Sequence, residues 1–209
     1  MNKHEKNKIL LLFAHPAEQR SRANVELVKN IKQFEGVTIR DLYELYPDFL
    51  IDVAYEQELL LEHDVIILQH PFYWYSCPSI TKEWMDLVLE HGFAYGDGGN
   101  ALAGKKMMTA ITTGGSEDTY AKDGVHAHDL RKFLLPFEQT AVFCGMEYLP
   151  PFVVHNTQSG LSREEIAIYR ELYEKLIVSL RDGEIDYNKL KDMHYLNDYF
   201  LDEYNSWSV

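Results

Sequence analysis

The sequence predicts an α/β fold: an open, doubly wound parallel sheet of five strands with helices on both faces. Three observations carry that expectation. Short apolar runs alternate with stretches of helical spacing along most of the 209 residues. Several of those runs end in turns made of small or aromatic residues. The most informative turn is Thr112-Thr113-Gly114-Gly115, which follows the apolar run 106–111 and precedes Tyr120 and His126 at short spacing. Small residues at the carboxyl end of a strand let a flat ring approach the backbone. A phenol and an imidazole nearby can meet that ring with hydrogen bonds and tunable charge. The combination points to a redox cofactor on the edge of a sheet.

Each element has its own justification. Residues 8–13 form a fully apolar run, as a strand buried on both faces requires. Residues 21–34 place Val25, Val28 and Ile31 at helical spacing, and residues 37–43 read as the second strand. Asp52 is placed to cap a helix through His63, and residues 64–69 give a third strand that ends in the aromatic turn 70–75. Pro78 opens a helix to Leu89 with Ile80, Trp84, Leu87 and Val88 on one face. A glycine-rich loop over 92–105 leads to the fourth strand. Leu130, Phe133, Leu134 and Phe137 mark a helix ending at Gly145 and kinked near Pro136. Residues 148–156 are the expected fifth strand, entered through Pro150-Pro151. Ser162-Arg163-Glu164-Glu165 is a capping box for a last helix to about Arg181.

Length suits one domain over 1–209 with a sizeable core. Its tail, 182–209, is acidic and rich in rings, which predicts packing on the body or on a second subunit. A net charge of −13 argues against binding nucleic acid or anionic lipid unaided. Apolar runs of about six residues are far short of the ~20 that span a bilayer, and the first run is too short for a signal peptide. Cys77 and Cys144 do not make a disulfide framework, so the expectation is a cytoplasmic protein with free thiols.

Ligands of such sheets bind outside the carboxyl ends of the strands. With the strands ordered 2-1-3-4-5, three turns fall on that edge. The first holds His15 with Ser21, Arg22, Ala23 and Asn24 at a helix N-terminus, where free N–H groups suit a phosphate. Taken alone, Ser21 reads as a helix cap. The second turn is Pro71, Phe72, Tyr73 and Trp74, whose rings suit either a flavin or ordinary packing. The third is Thr112, Thr113, Gly114 and Gly115, with Tyr120 and His126 beyond it. Neither a P-loop nor a dinucleotide fingerprint is present, nor a G-x-S-x-G elbow. His126 and His128 lack the companions of a zinc site, so no metal is expected.

Beyond these turns, ordered motifs run over about 8–157: Ala14-His15-Pro16, Ser21-x-x-Asn24, Leu45-Tyr46-Pro47-Asp48-Phe49, Gln69-His70-Pro71, Trp74-Tyr75-Ser76, Lys82-Glu83-Trp84-Met85-Asp86, Gly92-Phe93-Ala94-Tyr95-Gly96, Thr112-Thr113-Gly114-Gly115, Phe143-Cys144-Gly145 and Leu149-Pro150-Pro151-Phe152. The set resembles the flavodoxin-like NAD(P)H:quinone oxidoreductases, and more closely the ancillary flavoproteins of bacterial glutathione-regulated potassium-efflux systems. The resemblance implies a homodimer with FMN, or FAD, in two interface sites. It places the phosphate at His15 and Ser21–Asn24, the ring against Pro71–Trp74 and Thr112–Gly115, and the hydride-transfer tyrosine and histidine at Tyr120 and His126. It implies ping-pong hydride transfer from NAD(P)H to a quinone. The alternative it carries is an ancillary subunit of a membrane potassium-efflux antiporter, peripheral at the inner face of the membrane through that protein. The chain departs from the family at Tyr73, where many members carry a glutamine or another polar residue, and in its tail beyond Arg181.

Overall fold

A computed structural model describes residues 6–200. The strands are β1 (Ile9–Phe13), β2 (Val37–Asp41), β3 (Val65–Pro71), β4 (Lys106–Thr112), β5 (Glu147–Tyr148) and β6 (Phe152–Val154). The helices are α1 (Ala23–Val28), α2 (Leu42–Leu45), α3 (Val53–Glu62), α4 (Ser79–Val88), α5 (Leu130–Phe133), α6 (Leu135–Phe143), α7 (Arg163–Asp182) and α8 (Tyr187–Leu190). The sheet is parallel throughout, in the expected order β2-β1-β3-β4-β5, and β6 also pairs with β4.

Side chains on β1 alternate between two cores, as a strand's period of two demands. Leu10 and Leu12 face a core holding Leu60, Ile80, Trp84 and Phe137. Ile9, Leu11 and Phe13 face the other, with Leu27, Tyr173, Leu176 and Leu180. In the first core, Glu56 is fully buried on α3. Its carboxylate accepts from Arg40 Nη2 at 2.6 Å, Tyr46 Oη at 2.7 Å and Trp84 Nε1 at 2.9 Å. That cluster ties β2, α3 and α4 together.

Four expected boundaries differ from the structure. The fifth strand is two pieces, β5 and β6, because Pro150 and Pro151 cannot donate to the ladder. The helix expected over 21–34 is the six-residue α1 followed by a 3-10 turn at Ile31–Gln33. Ser21 does not cap it: Glu18–Arg20 forms a 3-10 turn that takes Ser21 as its own C-cap, and α1 starts after Arg22. The second strand stops at Asp41 because the Asp41 carboxylate accepts from the N–H groups of Tyr43 and Glu44 and opens α2. The helix expected over 130–145 breaks at Leu134 into α5 and α6, with Pro136 in the first turn of the second. The capping box of Ser162 and Glu165 forms, and Gly183 closes α7 in the left-handed region at φ 70°.

Part of the tail packs on the second core. Leu190, Leu196 and Phe200 are buried there. Asn197 reaches back to the sheet: its Oδ1 accepts from Val153 N at 2.8 Å and its Nδ2 donates to Val153 O at 2.9 Å. Tyr204 and Trp207, also read as packing rings, lie outside the described residues.

Candidate flavin site

The strand ends converge on one cavity of about 360 Å³. After β1 it is lined by His15, Ala17, Ser21, Arg22, Ala23 and Asn24. After β3 come Pro71, Phe72 and Tyr73, and after β4 Thr112 and Gly114. Thr157 and Gln158, beyond β6, close the wall. Neither is among the residues the sequence marks. The same rule of strand carboxyl ends applies to them, but Thr and Gln in a polar loop carry no chemical signal of their own.

The first turn of α1 supplies N–H groups without intrahelical partners, beside the Ser21 hydroxyl. His15 is buried, which lowers its pKa and favours the neutral ring. Its Nδ1 accepts from Ala17 N–H at 3.1 Å, leaving Nε2 as the donating nitrogen. Asn24 is almost wholly buried, and its Nδ2 donates to Thr112 Oγ1 at 2.8 Å. Its Oδ1 is buried with no hydrogen-bond partner among the described residues. A buried orphan acceptor is costly unless a ligand satisfies it. Behind it, Gln69 donates to the Asn24 carbonyl at 3.1 Å and accepts from Tyr173 Oη at 3.0 Å. The cavity floor is thereby held from both sides of the chain.

Trp74, Thr113 and Gly115 sit around this cavity rather than in it. Trp74 is 92% exposed, in a tight turn where Trp74 and Tyr75 both adopt positive φ, 49° and 63°. Non-glycine residues seldom accept that conformation, and two in succession mark a turn held by its surroundings. Ser76 N closes it by donating to Tyr73 O at 3.0 Å. Thr113 is fully buried, with its hydroxyl turned to Gly115 O at 2.9 Å and His155 Nδ1 at 3.0 Å. A side chain at Gly114 would meet the end of Gln158 at 2.8 Å, and one at Gly115 would meet Thr119 Oγ1 at 2.6 Å.

Tyr120 and His126 are brought together. Their rings stack with centroids 4.4 Å apart, and Tyr120 meets Phe72 edge-on at 5.9 Å. Burial raises the Tyr120 pKa, which keeps the phenol protonated and able to donate. Tyr75 of the aromatic turn joins them: its hydroxyl lies 3.4 Å from His126 Nδ1, and its ring stacks on Phe133. Phe72 therefore links the cavity to a patch of rings. Among the described residues no group of three or more His, Cys, Asp or Glu forms a metal site. No helix there is long and apolar enough to cross a membrane.

Residues 7–177 match the family of the flavodoxin-like fold. The chain belongs to that family. A curated relative, the glutathione-regulated potassium-efflux system ancillary protein KefG of Pectobacterium carotovorum, is 53% identical over 148 residues, 71% of this chain and 81% of its own. The general stress protein 14 of Treponema denticola, solved with FMN, superposes with a TM-score of 0.79 at 36% identity, over 83% of this chain and 99% of that one. An NADPH-quinone reductase of P. pentosaceus does so with a TM-score of 0.73 at 31% identity, over 81% and 96%. The tail from α8 onward lies beyond the matched residues.

Proposed function

We propose that this chain is an FMN-dependent NAD(P)H:quinone oxidoreductase, working by two-electron, ping-pong transfer. The observation that carries it is the convergence of three strand-end turns, plus the buried orphan Asn24 Oδ1, on a single cavity. The donor set fits the cofactor. Ser21 and the first-turn N–H groups of α1, with the donating Nε2 of His15, suit a phosphate. Asn24 Oδ1 offers an acceptor to a ligand hydroxyl. Pro71–Tyr73, Thr112 and Gly114 provide a flat wall for a ring. When bound, the flavin supplies the site that takes up and hands on the hydride. The protein's part is to position, to exclude water and to donate hydrogen bonds. In this reading Tyr120 stays protonated, and it and His126 stabilise charge or pass a proton beside Phe72. The FMN-bound relative and the NADPH-quinone reductase support the same reading.

The test is direct. Purified protein should show flavin absorbance, release FMN rather than FAD on chromatography, and oxidise NAD(P)H with a quinone. Colourless protein that takes up no FMN would overturn the proposal. We also propose a two-fold dimer, supported by exposed Trp74 and Val125 near the site and exposed Phe143 and Val142 on α6. Light scattering that gives one chain's mass at all concentrations would refute it.

A second reading has its own support. The KefG relative is named as ancillary to a potassium-efflux system, so this chain is also proposed to serve a membrane antiporter from the cytoplasmic side. Quinone turnover without the antiporter, and no change in potassium efflux when the chain is deleted, would exclude that role.

A further inference from the structure

The loop over 116–129 carries Tyr120 and His126, and much of its course is exposed. Its inner bonds are local: Gly124 N donates to Ala121 O, His126 N to Thr119 O and Ala127 N to Gly124 O, each at 3.0 Å. Ala127 sits at positive φ, 56°. Exposed short-range bonds fix the shape of a loop but not its seat on the sheet, and such segments open at little cost. On the cavity side the loop leans on Phe72 and Tyr75 through the rings of Tyr120 and His126.

On the other side it meets the tail. Residues 194–197 lie beyond the 7–177 that match the family. They are fastened to the sheet by Leu196 N, which donates to Pro151 O at 2.9 Å, and by the side-chain amide of Asn197 on Val153. The side chains of Tyr195 and Leu196 are buried. From that mount two contacts reach the loop. His194 Nε2 lies 3.1 Å from Asp129 Oδ2, and the His194 carbonyl accepts from Arg131 Nη1 at 3.2 Å. Asp129 also caps α5, its Oδ1 accepting from Arg131 N at 2.8 Å, so the tail grips the residue at which loop becomes helix. The Tyr195 ring meets His155 edge-on at 5.6 Å. His155 in turn lies 3.0 Å from Thr113 Oγ1 through Nδ1, and 6.1 Å from Tyr120 between ring centroids. A row of rings therefore runs from the tail through His155 to Tyr120 and His126.

We propose that tail residues 194–197 are a brace that seats the loop of Tyr120 and His126 beside the flavin cavity, with His194 and Tyr195 as positioning residues. The kinetic consequence rests on the flavin-reductase reading, whereas the brace itself does not.

His194 and Asp129 are both partly exposed, and an exposed ion pair adds little to overall stability. Its loss should therefore loosen the loop and leave the rest of the fold unmoved. The test is hydrogen exchange on the full chain as purified. His194→Leu keeps an apolar side chain beside Tyr195 and removes the contact to Asp129. It should speed amide exchange over 121–131 about threefold, with β3 at parent rates. Asp129→Asn, which keeps a side-chain acceptor for the cap, should do the same. The double variant should do no more than either, because both changes remove one contact. On protein that holds FMN, His194→Leu should also slow flavin reduction by NAD(P)H about threefold at unchanged FMN affinity, the same scale as the loosening of the loop. Parent-like exchange over 121–131, an equal rise in β3, additive effects in the double variant, or flavin reduction at the parent rate would each overturn the proposal. If the chain takes up no flavin, the flavin reading falls and the exchange measurements decide the brace alone.

Discussion

At the residue scale, glycines that look alike in sequence differ sharply in space. A Cβ on Gly124 would meet the carbonyl oxygens of Asp118 at 2.3 Å and Thr119 at 2.7 Å, both backbone. A Cβ on Gly114 meets only the flexible end of Gln158. Gly124→Ala should therefore destabilise the protein by about 1–3 kcal/mol in urea unfolding, while Gly114→Ala costs well under that. The loop that Gly124 holds carries Tyr120 and His126. If these two stabilise charge during hydride transfer, Tyr120→Phe and His126→Ala should each slow flavin reduction by NAD(P)H about tenfold, at the low end for such groups, with flavin retained. Stopped-flow rates equal to those of the parent would reduce both residues to wall positions.

Elements carry the next lesson. The strands, the aromatic turn and the capping box were legible because a period of two, apolar runs and Ser-x-x-Glu are local signals. The split of the last strand was half legible. Pro150-Pro151 was visible, but it was read as the way into one strand rather than the gap between two. The shortening of α1 was hidden, since a 3-10 turn takes Ser21 and no local preference announces it. Candidate site residues followed the same divide. Gly114 and Tyr120 stand beside a recognisable turn, whereas Thr157 and Gln158 reach the cavity only because β6 lies next to β4. The buried Glu56 cluster was also out of reach, as its partners come from positions 40, 46 and 84. Arg40→Met leaves that carboxylate without its cation, and the expected loss is about 3 kcal/mol in urea unfolding. A loss below about 1 kcal/mol would mean that Tyr46 and Trp84 suffice.

For the whole molecule, two deeply buried histidines contribute to the response to acid. Burial pushes His70 and His155 down to about 4 from the ordinary 6.5. The unfolded chain therefore binds more protons than the folded one between those values. Stability is full above pH 6.5, falls as pH drops towards 4, and levels off below, by about 3 kcal/mol for each ring. His155→Gln should flatten that slope in urea midpoints measured from pH 7 to 4. An unchanged slope would assign acid sensitivity to other groups. The last consequence comes from Asn197, whose side-chain amide pairs with both polar atoms of the Val153 backbone. The amide stands in for one residue of a missing neighbouring strand, and β6 lies at the outer margin of the sheet. An open margin is a template on which other chains can add strands and aggregate. Asn197 thereby covers part of that margin. Asn197→Ala should unfold about 1–3 kcal/mol more easily. On gentle heating it should also scatter light in proportion to concentration sooner than the parent, and equal scattering would show that the margin is protected by other means.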